Sequence, residues 1–278
     1  MELKSSVGQL CTEKEIDFFG VAPVSRFENA PRSHRPRDFL SRANSVISIG
    51  LKIPEGVREA NHKAFEAKDM RHGIYIYQMH GYVQINRILN HAAYSIAKFL
   101  EKKGYRSTPI PASHPSDPKK SMGAFSNRHA AVAAGNAEFG WNTLAITEEA
   151  GPRVRWGSIF TAASLPPDPL LDQDICLDNC LKCVKACPVN AISEDEGVML
   201  KIENQTYEYS VLDKWKCRVG GVSGLSTKLS RNRFKLPENP DSEDFLEALN
   251  FENEWQKRER IASMCGRCIV ECPVGVAD

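Results

Sequence analysis

The sequence has no apolar run near the roughly 20 residues that a membrane-spanning helix needs. Its opening, MELKSSVGQLCTEKEIDFF, has no apolar h-region and no twin-arginine pair. The expectation is a cytoplasmic protein with no membrane partner. No GxGxxG follows a strand pattern and no GxxxxGK[ST] occurs, so nucleotide binding through those phosphate loops is not supported. An excess of charge is missing too. With 36 Lys and Arg against 35 Asp and Glu, the net charge is +1, which argues against a whole-chain polyanion binder. Low-complexity tracts and tandem repeats are absent beyond two related cysteine runs.

What is present is enough apolar material for a real core, 42% of 278 residues, at a length comfortable for two domains. Charge divides the chain. Residues 1–165 hold 22 basic and 15 acidic side chains, whereas residues 166–278 hold 14 and 20. The segment LPPDPLLDQD (165–174) reads as a linker, and the boundary is placed near residue 165.

Eight of the nine cysteines lie in the acidic part: Cys176, Cys180, Cys183, Cys187, Cys217, Cys265, Cys268 and Cys272. Two four-iron clusters need eight thiolates. Cys176-x3-Cys180-x2-Cys183-x3-Cys187-Pro188 nearly matches the bacterial ferredoxin run, and Cys265-x2-Cys268-x3-Cys272-Pro273 is a shortened second run. A tight loop with a ligand about every third residue supplies three converging thiolates, while the fourth reaches the neighbouring cluster. The expected sets are Cys176, Cys180, Cys183 and Cys272 for one cluster, and Cys187, Cys217, Cys265 and Cys268 for the other. The x3 gap after Cys176, where x2 is usual, requires one residue to bulge from the loop. Zinc would favour two pairs at longer separation, and disulfides conflict with a cytoplasmic protein. Cys11, beside Val7 and Leu10, reads as a small buried hydrophobe.

Before the linker, helical and strand-like patterns alternate. Helix is expected at 3–14, strands at 16–23 and 45–51, and a loop or short helix at 55–73. A long amphipathic helix is expected at about 77–103, with Val83, Ile88, Leu89, Ala92, Ile96, Ala97 and Leu100 on one face. A loop at 105–127, a helix at 127–135 and strands at 143–147 and 151–161 follow. After the first cysteine run a hairpin is expected near VMLKI, then an irregular stretch at 218–243 and a helix at 244–264. A mixed α/β sandwich fits this order better than a doubly wound sheet.

Three stretches carry a family resemblance: IDFFGVAPV near the start, RHAAVAAGNAEFGWNTLAIT (128–147), and the eight-cysteine pattern. With them the chain resembles the epoxyqueuosine reductases and the reductive dehalogenases. The resemblance implies an α+β protein: a cobalamin-binding, nitroreductase-like α/β sandwich over 1–165, then a bacterial ferredoxin-like double-cluster domain over 166–278. It implies a reductase in which two [4Fe-4S] clusters pass single electrons to a corrinoid and then to a small substrate, with a nearby acid giving a proton. The electrons would come from an external donor such as a ferredoxin or flavodoxin. It also implies corrin-facing backbone at Gly135, Asn136, Phe139, Gly140 and Trp141, with Thr143 beside them. From the residues alone, Gly135 would cap a helix and Gly140 would start a turn.

Where the epoxyqueuosine reductases carry an Asp before the central helix, this chain reads STPIPASHPSD, with Pro109, Ile110 or Pro111 in the acid's place. The sequence given ends six residues after Cys272, where those enzymes usually continue into a helical-repeat region that helps hold tRNA. The tRNA is therefore the less expected partner, and a small molecule the more expected one. Candidate proton donors are His114 and Asp117, in the loop replacing the acid segment, and Tyr77, near Tyr75 and His80 at the start of the long helix. For each the plainer reading is a solvated loop residue or a core aromatic. His129 is a possible ligand or donor, but a satisfied helix-terminal histidine is the plainer reading. Arg153 and Arg155 could neutralise a cofactor phosphate or an anionic substrate. Arg231, Arg233 and Lys235 read as a solvated face and only weakly as an RNA patch. The remaining alternatives are an epoxyqueuosine reductase acting on tRNA and a non-catalytic electron-transfer protein.

Overall fold

The structure is a computed structural model that describes residues 2–67, 70–113, 115–117, 120, 122–220, 237–249 and 265–276. Helix α1 (Glu2–Glu13) leads into strand β1 (Phe18–Pro23), a short helix α2 (Pro36–Phe39) and strand β2 (Ser45–Lys52). Helices α3 (Glu55–Glu66) and α4 (Met70–Gln78) follow. A π-helical turn at Met79–Val83 joins α4 to the long helix α5 (Gln84–Lys102). Strands β3 (Ser107–Ile110), β4 (Pro115–Asp117) and β5 (Met122–Gly123) precede helix α6 (Asn127–Ala133). Strands β6 (Glu138–Phe139), β7 (Ala145–Ile146) and β8 (Val154–Thr161) complete the first part. Helix α7 (Lys182–Ala186), the hairpin β9 (Ile192–Ile202) and β10 (Gln205–Leu212), and helix α8 (Ser242–Leu249) come next. A last helical turn spans Arg267–Val270.

The main sheet is antiparallel, in the order β1-β2-β8-β3. Because side chains alternate across a strand, it buries both faces. Ile47, Ile49 and Ile159 face α1 and α5, while Val46, Trp156 and Phe160 face α6. Helix α5 turns Ile85, Leu89, Ile96 and Leu100 into the first core, at the three- and four-residue spacing of one helix face. Cys11 is buried there, as its apolar spacing implies. Ile88, expected on the buried face, is exposed instead.

Two expectations about local structure need revision. Residues 55–66 form a full helix, whose buried positions Val57, Asn61 and Ala64 are too small or polar to announce a helical stripe. The stretch 105–127 holds an edge strand, β3, pairing Pro109 with Ile159. Proline is compatible with an edge strand, because its missing donor faces away from the ladder. The expected irregular stretch and the end of the last long helix lie outside the described residues at 221–236 and 250–264, as do Arg231, Arg233 and Lys235.

Both cores take residues from beyond the linker. Ile269 and Val270 join the α5 core, and Ile202 and Tyr207 join the α6 core. The linker itself is pinned. Asp168 accepts from the amide of Val21 (2.8 Å) and from Lys4 Nζ (2.6 Å). Arg26 donates to the carbonyls of Ala133 (2.6 Å) and Asp168 (2.8 Å), and its other guanidinium nitrogens reach Glu203. No helix among the described residues is long and apolar enough to cross a membrane.

Candidate metal centre

The two cysteine runs share one backbone device. Leu181, after Cys180, has φ +47°, and Gly266, after Cys265, has φ +67°; each left-handed residue starts a short helix carrying the next cysteine. The turn folds two thiols three residues apart toward one point. Glycine adopts this conformation freely, whereas Leu181 is held in it against its Cβ. The extra residue after Cys176 is absorbed by a second left-handed residue, Asn179 (φ +53°), in a turn closed by the Cys180 amide on the Leu177 carbonyl (3.3 Å). Asn tolerates this region better than most residues.

Cys176, Cys180, Cys183 and Cys272 line one cavity of about 650 Å³. Burial pushes the Cys183 thiol up to about 11, and the Cys176 and Cys272 sulfurs push in the same direction. The Cys268 thiol is raised well above its ordinary value by burial and then by Cys265, Cys217 and Cys187, with Cys183 of the first group adding less. Four sulfurs that repel one another as thiolates are the donor set a cationic cluster neutralises. Among the described residues no three His, Cys, Asp or Glu side chains converge as they would on a single metal ion. A cluster does not require that convergence, since each thiolate binds its own iron.

The central segment lies between the two sets. The Trp141 amide faces Cys176 Sγ (3.4 Å), its indole donates to the Ser193 carbonyl (3.0 Å), and Asn142 Nδ2 donates to the Cys268 carbonyl (3.4 Å). Phe139, Gly140 and Trp141 line the cavity with the first four cysteines. Thr143, with φ +66°, is buried and accepts from Arg128 Nη1 through both its carbonyl and its hydroxyl. Gly135 and Asn136 have structural duties of their own. Gly135 (φ +69°) ends α6, and a Cβ there would lie 2.0 Å from the Pro169 carbonyl oxygen. The Asn136 amide, in its hydrogen-bonded orientation, bridges the Phe19 carbonyl and the Gly20 amide.

Of the candidate proton donors, His114 lies outside the described residues, and Asp117 is described only as part of β4. Tyr77 is 1% exposed, its ring against Gly266, where a Cβ would lie 2.5 Å from the ring. Burial raises its phenol, with Cys268 and Cys265 adding to the rise and Arg155 opposing it. Tyr75 and His80 are exposed. His129 takes the plainer role: Nδ1 lies 2.6 Å from the Ser126 hydroxyl, which also accepts the His129 amide. Burial, helped by Arg128, lowers its imidazole to about 3, so it is neutral.

Arg155 stacks on the Tyr82 ring (4.4 Å to its centre) and its Nε reaches Asn86 Oδ1 (3.3 Å). The Tyr82 hydroxyl bonds Ser113 Oγ (2.8 Å). No carboxylate among the described residues pairs with Arg128 or Arg155. Two guanidiniums without a carboxylate partner suit a group that brings negative charge and amide acceptors, and a corrinoid with its phosphate and carboxamides is such a group. Arg128 went unnoticed in the sequence, although a cation in the first turn of a helix runs against the helix dipole and needs another reason. Arg153, read from the sequence as a possible partner of a cofactor phosphate or an anionic substrate, is buried and donates to the Cys272 carbonyl of the second cysteine run.

No family model matches the chain. Over 128 residues it is 35% identical to the tetrachloroethene reductive dehalogenase of Dehalobacter restrictus; the match covers 44% of this chain and 21% of that enzyme. An enzyme of the same description from Desulfitobacterium hafniense matches equally, so the chain corresponds to about a fifth of these relatives' length. Among solved structures, an epoxyqueuosine reductase with a tRNA-Tyr epoxyqueuosine-modified stem loop superposes with a TM-score of 0.55 at 17% identity, over 99% of this chain and 79% of that one. A catabolic reductive dehalogenase in complex with 3-bromo-4-hydroxybenzoic acid superposes with a TM-score of 0.57 at 17% identity, over 96% of this chain and 37% of that one. The chain thus has the mixed helix-and-sheet fold of the epoxyqueuosine reductases and reductive dehalogenases, and its relatives in sequence are reductases.

Proposed function

We propose that the chain is an oxidoreductase holding two [4Fe-4S] clusters and a corrinoid, organised as a nitroreductase-like unit over 1–165 and a ferredoxin-like unit over 166–278, and reducing a small substrate. The observation that supports the reading is that Cys176, Cys180, Cys183 and Cys272, drawn from both cysteine runs, line one cavity, while Cys265, Cys217 and Cys187 weigh most on the buried Cys268. Clusters built this way accept one electron at a time from an external one-electron donor such as a ferredoxin or flavodoxin.

When bound, the corrinoid supplies a reducible cobalt centre. The chain's own part is to hold and shield. Arg128 and Arg155 offer guanidinium donors toward the cofactor or an anionic substrate group. Tyr82, held by Ser113 and stacked by Arg155, presents a phenol at the same place. Phe139 and Trp141 keep water from the first cluster. Tyr77 keeps its proton at neutral pH and stands against the loop of the second.

Anaerobic reconstitution tests this reading. About eight irons per chain are expected. Cys217→Ser should remove or convert one cluster and leave the other, and added cobalamin should give a bound base-off spectrum. Zinc in place of iron sinks the cluster assignment, and iron without corrinoid uptake leaves an electron-transfer protein. The superposition with a tRNA-bound epoxyqueuosine reductase supports a second reading, tRNA as substrate; stem-loop binding with queuosine formation would select it.

A further inference from the structure

Arg153 is 3% exposed and sits where the turn before β8 meets the second cysteine run. Its Nη1 donates to the carbonyls of Cys272 (2.9 Å) and Ile269 (3.4 Å), and its Nη2 donates to the Val274 carbonyl. The seat is built around it. A Cβ on Gly151 (φ +54°) would lie 2.4 Å from the Val274 oxygen, and one on Gly275 (φ +66°) would lie 2.6 Å from the Ala150 amide. Two left-handed glycines therefore let the backbones meet face to face, and the guanidinium fills the space between them. Glu55, which is bonded to Arg58, offsets part of this charge without bonding to it, and the carbonyls hold the guanidinium beside Cys272.

We propose that Arg153 is a positioning residue that sets the reduction potential of the cluster held by Cys176, Cys180, Cys183 and Cys272. The proposal rests on the two-cluster reading above. On reduction this cluster gains one electron from the external one-electron carrier and one unit of negative charge; no bond forms or breaks, and Arg153 keeps its proton. A fixed buried cation next to one ligand stabilises the reduced state more than the oxidised one, and low local dielectric strengthens the effect. The second set has its own cations, Arg267 beside Cys265 and Arg218 beside Cys217, so the contribution of Arg153 is the shift of one cluster's potential on its removal rather than a ranking of the two.

An anaerobic redox titration followed by electron paramagnetic resonance tests this in the holoprotein. Arg153→Gln should move one cluster signal to a more negative potential and leave the other in place, with iron content unchanged. Arg153→Lys keeps the charge without the fork, and should restore most of the shift. Both signals unmoved in Arg153→Gln, or both moved equally, would overturn the proposal. So would a shift in Arg153→Lys as large as in Arg153→Gln. Should Arg153→Gln lose the first cluster, Arg153→Lys decides alone: a near-native potential supports the charge role and a large drop removes it. Wild-type protein without iron would sink the cluster reading itself, a result distinct from these.

Discussion

The backbone amide of Trp141 faces the Sγ of Cys176 at 3.4 Å, while the Trp141 indole is fastened to Ser193 in the β9 strand. One residue thus joins the central segment, the first cysteine run and the hairpin. Trp141→Ala keeps the amide but loses the indole bond and the cavity wall. We expect a loss of roughly 1–3 kcal/mol in stability. Iron should leave the first cluster faster than the second, as followed by absorbance under a chelator.

Leu181 and Gly266 occupy matching left-handed positions, so substitutions there should act oppositely. Leu181→Gly removes a Cβ from an unfavourable φ and should be neutral or raise the melting temperature slightly, with full iron content. Gly266→Ala adds strain and drives a methyl group into the Tyr77 ring. It should lower melting temperature and selectively deplete the second cluster. Equal behaviour of the two variants would refute the shared-turn account.

His129 carries a pH dependence whose sign follows from its lowered imidazole. The unfolded chain binds a proton below the ordinary value of 6.5, whereas the native imidazole resists until about 3. The unfolded state therefore binds more protons across that window, and stability falls as pH drops through it. Thermal melts from pH 7 to pH 4 should show this decline, and His129→Asn should flatten it. An unchanged slope in the variant would place the acid sensitivity elsewhere.

Cysteine spacing made the matching turns of the two runs readable, because thiols within one loop are placed by local chain geometry. Strong periodicity did the same for α5, and the run SVISIGL for β2. The arrangement around them was not readable. Helix α3 hid behind small and polar buried positions, and β3 behind a proline at an edge. Gly135 looked like a cofactor contact and also serves to let the linker carbonyl of Pro169 approach. Arg155 meets Tyr82 and Asn86 only through long-range packing, which no local pattern announces.

Ile269 and Val270 lie between two cysteines of the second run, yet they are part of the same apolar interior as Leu89 and Ile53. On the proposed cluster reading, sulfur ligation and burial of these side chains are one event rather than two. If the proposed clusters are present, oxygen damage that strips them would release an edge of the interior along with them, and the cluster-free molecule should become a target for proteases.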